Sequence, residues 1–207
     1  MSRNLMEANV FVIDDDQAVR DSLGLLLKSM GQKAHLFESA QAFLDAYNPE
    51  MSGCIVLDIR MPGMSGMELQ QQLKARHSTI PIIFVTGHGD VPMAVEAMHH
   101  GAFDFIQKPF RDQELLDRIN QALSWDVVHR SEEDHRRGVQ ERFLSLTPRE
   151  REVMDCVVRG LANKVIAMDL DLSQRTVEIH HARVMEKMDA RSLADLVRMS
   201  LFVNCAT

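Results

Sequence analysis

Four carboxylates stand at the ends of apolar runs in the first half of the chain. Asp14, Asp15 and Asp16 follow VFVI, and Asp58 closes CIVLD. Two more polar groups end similar runs: Thr86 follows IIFV, and Lys108, itself followed by Pro109, comes after FDFI and Gln107. If each run is a strand of one parallel sheet, these side chains meet beyond the carboxyl ends of the strands, where open sheets of this kind bind ligands. Carboxylates at close range repel, and a hard divalent cation relieves the repulsion. Mg²⁺ is the natural choice, taking oxygen ligands from one or two carboxylates, water and phosphate. Such a site can handle phosphate: one carboxylate attacks phosphorus to form an aspartyl phosphate, Lys108 pairs with a phosphoryl oxygen as a point charge, and Thr86 donates a hydrogen bond to another. Taken singly, each group means little, since an Asp triplet could simply cap a helix. The ordered set, strand by strand, is what chance does not produce.

The elements that must position these groups are legible. Apolar runs at 10–13, 34–37, 54–58, 82–85 and 103–106 alternate with helix-periodic stretches; from Val19 to Met30, one stripe gathers Val19, Leu23, Leu26, Leu27 and Met30. The stretches 67–73 and 115–123 repeat the pattern. Five strands and five helices predict an α/β domain over 1–125, a doubly wound five-stranded parallel sheet of flavodoxin-like type. Residues 126–142, DVVHRSEEDHRRGVQER, lack proline and carry opposite charges at helical spacing, which favours an exposed charged linker helix prolonging the one before it. From 143 to 207 the pattern is all-α. Thr147-Pro148 reads as N-cap and first helical residue with Glu150 completing a capping box, and further helices fall at about 163–169, 173–188 and 191–203.

Composition limits the functions available. The formal charge is −7, which excludes a protein that coats nucleic acid by bulk positive charge. The excess is uneven: residues 1–124 hold 10 Lys/Arg against 16 Asp/Glu, whereas 143–207 hold 9 of each. Cys54, Cys156 and Cys205 stand too far apart in sequence for a metal knuckle or a redox pair, and their odd number suits a reducing compartment. No run approaches the length of a membrane helix and the amino terminus lacks a signal-peptide core, so a cytoplasmic protein with no membrane partner is expected.

In the second half, Leu170-Asp171-Leu172 is a turn of helix-turn-helix length. On a helical wheel, residues 173–188 place Val177, His180, His181, Val184 and Met188 on one face. Arg175, Glu178, Ile179, Ala182 and Arg183 lie opposite, with Thr176 and Lys187 beside them. The first face suits a core, His180 as a hydrogen-bonded core histidine; the second could be merely solvated or could enter a DNA major groove. If that face enters a groove, Glu178, Ile179 and Ala182 bring no cation to it, and phosphate contacts fall to Lys164, Arg175, Arg183 and Lys187. Such a neutral domain binds weakly alone, and a dimer on a two-fold-related site supplies the rest.

VFVIDDDQAVR, LDIRMPGMSGMEL, IIFVTGHGD and FDFIQKPF occur in order and together resemble the receiver domain of two-component response regulators. The resemblance implies that Asp58 is the phosphoacceptor and Asp15 a direct Mg²⁺ ligand. It also implies that Asp14 is a second acidic-pocket residue acting through water, and that the Arg60 carbonyl completes the protein's share of the metal shell. Thr86 and Lys108 keep the roles already given, Asp16 caps a helix, and the bond before Pro109 is cis. It further implies that Phe105 packs into the space Thr86 vacates on phosphorylation, and that the face at about 91–124 dimerises.

Residues 143–204, through LTPREREV, GLANKVIAMDL, RTVEIH and KMDARSLADLVR, resemble the LuxR-type helix-turn-helix. Together the two resemblances, with GHGDVPMAVEAM closest to the FixJ-like branch of the FixJ/NarL family, imply a transcription regulator. It accepts a phosphoryl group from a sensor histidine kinase, forms a homodimer and binds promoter DNA; apart from taking up and slowly losing its own phosphoryl group, it is no enzyme. One rival is a Mg²⁺-dependent phosphohydrolase, whose aspartyl nucleophile usually has a second acid two residues on, where this chain has Arg60. Another is a regulator whose second domain binds only protein.

Overall fold

The structure is a computed structural model that describes residues 8–87 and 91–204. It divides into two compact units, Met1–Arg130 and Ser131–Thr207.

In the first unit, five short strands form one parallel sheet in the order β2-β1-β3-β4-β5. They are β1 (Asn9–Ile13), β2 (Lys33–Phe37), β3 (Cys54–Asp58), β4 (Ile82–Thr86) and β5 (Asp104–Gln107). The inner strands β3 and β4 are buried along their whole length, as continuous apolar runs covered on both faces must be. Successive side chains serve opposite cores. Phe11, Ile13, Ile55, Leu57 and Phe84 pack with Phe43, Leu69 and Leu73 of the helices α2 (Ala40–Ala46) and α3 (Gly66–Ala75), and with Ala97 of α4 (Val91–His99). Val10, Val12, Val56, Ile83 and Val85 pack with Leu23 and Leu27 of α1 (Gln17–Ser29) and with Leu115, Ile119 and Leu123 of α5 (Asp112–Leu144). Strand five lies one residue later than its apolar run suggests, because the ladder pairs begin at Ile83 with Asp104. The chain leaves β1 toward β2 on one side and returns to β3 on the other, so the switch point lies between β1 and β3.

Short polar side chains start the helices. Asp16 caps α1 by accepting from the Ala18 amide, Ser39 caps α2, and Ser65 with Glu68 forms a reciprocal capping box on α3. Helix α5 runs 33 residues and takes in the whole of 126–142. That stretch is not uniformly exposed, as its charge pattern suggests, because each unit absorbs one of its ends. Asp126 is buried in the first unit, accepting from the Gly53 amide at 2.9 Å, and Val139 is fully buried in the core of the second.

The second unit contains α6 (Pro148–Val158), α7 (Asn163–Asp169), α8 (Gln174–Met188) and α9 (Leu193–Asn204) around Val153, Met154, Val157, Ile166, Val177, Val184, Met188 and Leu196. Thr147 and Glu150 form the expected capping box under Pro148. Asp171 turns the chain between α7 and α8 in the left-handed region at φ 52°, a conformation that Asp tolerates better than most residues.

Candidate functional site

Parallel pairing brings the ends of β1, β3 and β4 to one rim. Ile13 pairs with Leu57, Asp58 with Val85, and Thr86 with Gln107. The amide of Lys108 then donates to the Thr86 carbonyl at 2.7 Å. From there its ammonium reaches both acidic strand ends, 2.8 Å from Asp14 Oδ2 and 3.0 Å from Asp58 Oδ1. The second oxygen of each carboxylate is engaged as well. Asp14 Oδ1 accepts from the Asp16 amide at 2.9 Å, and Asp58 Oδ2 from the Arg60 amide at 2.8 Å. Arg20 ties the Asp14 carbonyl at 2.7 Å.

These contacts set the electrostatics. Burial pushes the Asp58 carboxyl up from the usual range, the nearby charge of Asp14 adds to this, and the hydrogen bond and charge of Lys108 work against it. For Lys108 burial opposes the charge, but the hydrogen bonds to Asp14 and Asp58 outweigh it and raise the ammonium, which stays protonated.

The structure thus unites Asp14, Asp58 and Lys108. Asp15 is exposed, as are Arg60 and the helix-capping Asp16. Among the described residues no three acidic, histidine or cysteine side chains are grouped as metal ligands, and Lys108 bridges the two buried carboxylates Asp14 and Asp58. Thr86 is 1% exposed and its hydroxyl donates to the Gly87 carbonyl at 3.0 Å. Phe105 pairs across the sheet with Phe84 and packs, half-buried, on the core beneath α3 and α4. The Lys108-Pro109 bond is cis. Cys54 and Cys156 are buried free thiols. Residues 88–90 of the GHGD stretch and Cys205 lie outside the described residues.

In the second unit, Ser173 caps α8 by accepting from the Thr176 amide at 3.0 Å, and its hydroxyl pairs with that of Thr176 at 2.7 Å. Val177, Val184 and Met188 turn fully inward. Arg175, Glu178, Ile179 and Ala182 line an open concavity with Gln174, Arg183 is exposed beside them, and Ile179 keeps 47% of its surface in solvent. Lys164 is exposed on α7. His180 is half-buried, and its Nδ1 is enclosed with no hydrogen-bond partner among the described residues. The wheel placed it on the inner flank correctly, but an inward direction does not guarantee a polar neighbour.

Two family models match this chain, the response regulator receiver domain over residues 10–120 and the bacterial regulatory proteins of the luxR family over 144–200. The chain is a response regulator. It is 51% identical to the transcriptional regulatory protein FixJ of Azorhizobium caulinodans across 95% of its own length and 93% of that protein's. It is 44% identical to the response regulator protein TodT of Pseudomonas putida across 92% of its length and 84% of the relative's. The solved structure of the response regulator StyR superposes with a TM-score of 0.86 at 46% identity, covering 94% of this chain and 98% of that one. Full-length FixJ from B. japonicum gives 0.60 at 47% identity, covering 97% and 98%. A receiver joined to a LuxR-type DNA-binding domain makes this response regulator a two-component transcription regulator and not a phosphohydrolase.

Three functional contacts of this response regulator are not legible from motif spacing. Lys187 does not stand free beside the exposed face of α8: its Nζ lies 2.7 Å from Glu150 Oε2. Asp126 holds Gly53, and Gly66 lies against the backbone of Asp58. The first two join residues 37 and 73 positions apart, while Gly66 is close to Asp58 in sequence and carried a signal, a glycine just inside a helix start.

Proposed function

We propose that Asp58 accepts a phosphoryl group from a partner histidine kinase and that this controls promoter binding through α8. The observation that carries the reading is the Lys108 ammonium held between Asp14 and Asp58 at the open rim of the sheet, with its own amide tied to Thr86. In the transfer, an Asp58 oxygen forms a bond to phosphorus as the bond from phosphorus to the kinase imidazole nitrogen breaks, and the electron pair of that bond returns to the imidazole. Lys108 moves its charge from Asp58 to a phosphoryl oxygen, which brings about −1.5 to −2 units of charge. Thr86 exchanges its donation to Gly87 for donation to another phosphoryl oxygen. Phe105, which lacks a hydroxyl, reports the change by packing alone.

The donor set suits Mg²⁺. Two buried carboxylates faced by one ammonium leave the rim short of positive charge, and hard oxygen donors are what that ion takes. Asp14, Asp15, Asp58 and the Arg60 carbonyl would hold it, and when bound it would neutralise the phosphoryl charge. Self-phosphorylation from small phosphodonors and slow self-hydrolysis are the only turnover expected.

On the output side, Glu178, Ile179, Ala182 and Thr176 face the bases, while Arg175, Arg183 and Lys164 contact phosphates. Phosphorylation favours a homodimer through α4, β5 and α5, a face that exposes Val95 and Met98 and carries the Asp104–Arg118 ion pair at 2.7 Å. The cytoplasm is the working compartment of such a regulator, and no described helix is long and apolar enough to cross a membrane.

The test compares wild type and Asp58→Asn treated with acetyl phosphate and Mg²⁺. Wild type should gain an acid-stable, base-labile phosphoryl group and bind selected DNA fragments more tightly, and the variant should do neither. Labelled Asp58→Asn protein would overturn the site assignment, and equal binding of random and selected DNA would overturn the output.

A further inference from the structure

The Glu150–Lys187 pair is the strongest feature of the second unit that phosphotransfer and base reading leave unused. Glu150 lies in the first turn of α6 and is 2% exposed. Its Oε2 is doubly engaged, accepting from the Thr147 amide at 2.8 Å and from Lys187 Nζ at 2.7 Å. The Glu150 amide donates back to Thr147 Oγ1 at 3.3 Å, so backbone and side chain of the α6 N-terminus hold the carboxylate in place. Lys187 lies 37 residues away in the last turn of α8, with its ammonium also 3.5 Å from the Ser145 carbonyl.

Apolar packing of Val177, Val184 and Met188 holds α8 against the core, but such contacts are non-directional and tolerate a small rotation or slide. A charge-assisted hydrogen bond does not. Lys187 is one helical turn past Arg183, so pinning its ammonium fixes the angle at which Arg175, Glu178, Ile179, Ala182 and Arg183 leave the surface. The pinned ammonium is also paired electrically. Were it to turn to a DNA phosphate, it would leave an enclosed carboxylate without its cation, a costly arrangement.

We infer that Glu150 and Lys187 are positioning residues that set the reading helix in register with the DNA groove, and that Lys187 neutralises Glu150 and not a DNA phosphate. The inference rests on the DNA-binding reading of α8. It departs from the assignment that spacing alone gives Lys187, since a cation beside a basic helical face reads as a phosphate contact.

The test uses the full chain, phosphorylated with acetyl phosphate, and a DNA fragment that wild type selects from random sequence. Affinity is measured between about 50 and 200 mM salt for wild type, Glu150→Gln, Lys187→Met, Lys187→Arg, the double variant that combines Glu150→Gln with Lys187→Met, and Arg183→Ala as a phosphate-contact control. A protein that neutralises one phosphate fewer shows a salt slope smaller by about 0.9. Arg183→Ala should show this, whereas Glu150→Gln and Lys187→Met should each weaken binding roughly tenfold with the wild-type slope. The double variant should bind no worse than the weaker single variant, and Lys187→Arg should recover most of the loss. Circular dichroism at the assay temperature confirms folding, and if Lys187→Met does not fold, Glu150→Gln against Lys187→Arg carries the comparison. A slope reduced by Lys187→Met as by Arg183→Ala would overturn the inference, as would variants that melt earlier yet bind like wild type. If wild type selects no fragment, the DNA-binding reading itself falls, a result separable from both.

Discussion

A β-carbon placed on Gly66 would lie 2.3 Å from the main-chain carbonyl oxygen of Asp58. Gly66 opens α3 directly after its Ser65 cap, and its amide donates to the Ile59 carbonyl at 3.0 Å, so the start of that helix presses on the backbone that carries Asp58. The obstacle is backbone and cannot swing aside. Gly66→Ala should therefore destabilise the receiver by about 1–3 kcal/mol, the usual cost of overpacking, and slow phosphorylation of Asp58. Thermal unfolding and acetyl phosphate labelling, measured together, check both effects; an unchanged melting temperature would contradict the close approach.

Lys108 places its ammonium on both Asp14 and Asp58. Replacing it with Met removes a charge aimed at the transferring group and leaves two carboxylates facing each other. Labelling should slow by about 10²-fold, the scale for losing one preorganised electrostatic donor. The Asp58 carboxyl should rise further, because the hydrogen bond and charge that now restrain it are gone. Rates of acetyl phosphate labelling against pH read both changes.

On the proposed mechanism, Thr86 separates acceptance of the phosphoryl group from response to it. Its hydroxyl donates to the Gly87 carbonyl, so Thr86→Ala should accept phosphate at near wild-type rate but lose most of the gain in DNA affinity. Thr86→Ser keeps the donor and should retain the response. Gel shifts with and without acetyl phosphate distinguish the two variants.

The Glu150 carboxyl is held at about 2 by the hydrogen bond from Lys187, helped by the Thr147 amide. Its folded value lies below the ordinary 4.5, so the stability it contributes is present above about 4.5 and is lost as pH falls toward 2. Glu150→Gln should be less stable than wild type at neutral pH, and the difference should shrink across that window. Chemical unfolding of the full chain at several pH values measures it.

Asp126 is a buried carboxylate with an oxygen on the Gly53 amide at 2.9 Å and another 3.3 Å from Arg130 Nε. Asp126→Ala strands a buried amide and should cost about 1–3 kcal/mol. Hydrogen exchange should speed up at Gly53 and along 126–130, and unchanged protection there would contradict the anchoring.

Most of the sheet and most of the site were legible because both follow from local pattern. Continuous apolar runs must be inner strands, and residues just past parallel strands must share a rim. Asp14, Asp58, Thr86 and Lys108 thus group together on strand order alone. The caps Asp16, Ser65, Thr147 and Ser173 are equally local, since a short polar side chain answers amides two or three residues on. What the pattern misjudged was solvent contact. Charge spacing makes 126–142 a helix, but cannot say that Asp126 and Val139 are buried, because burial depends on what lies opposite.

Periodicity and order along the chain are enough for the parallel sheet, the acidic rim and the amphipathic pattern of α8. The partners of Lys108 and Lys187 follow from how the chain closes in space. Lys108 is divided between Asp14 and Asp58, and Lys187, which spacing offers to DNA, is bound to Glu150. An ion pair depends on distance in space, and residues 37 or 94 positions apart come within 3 Å only when the fold closes between them.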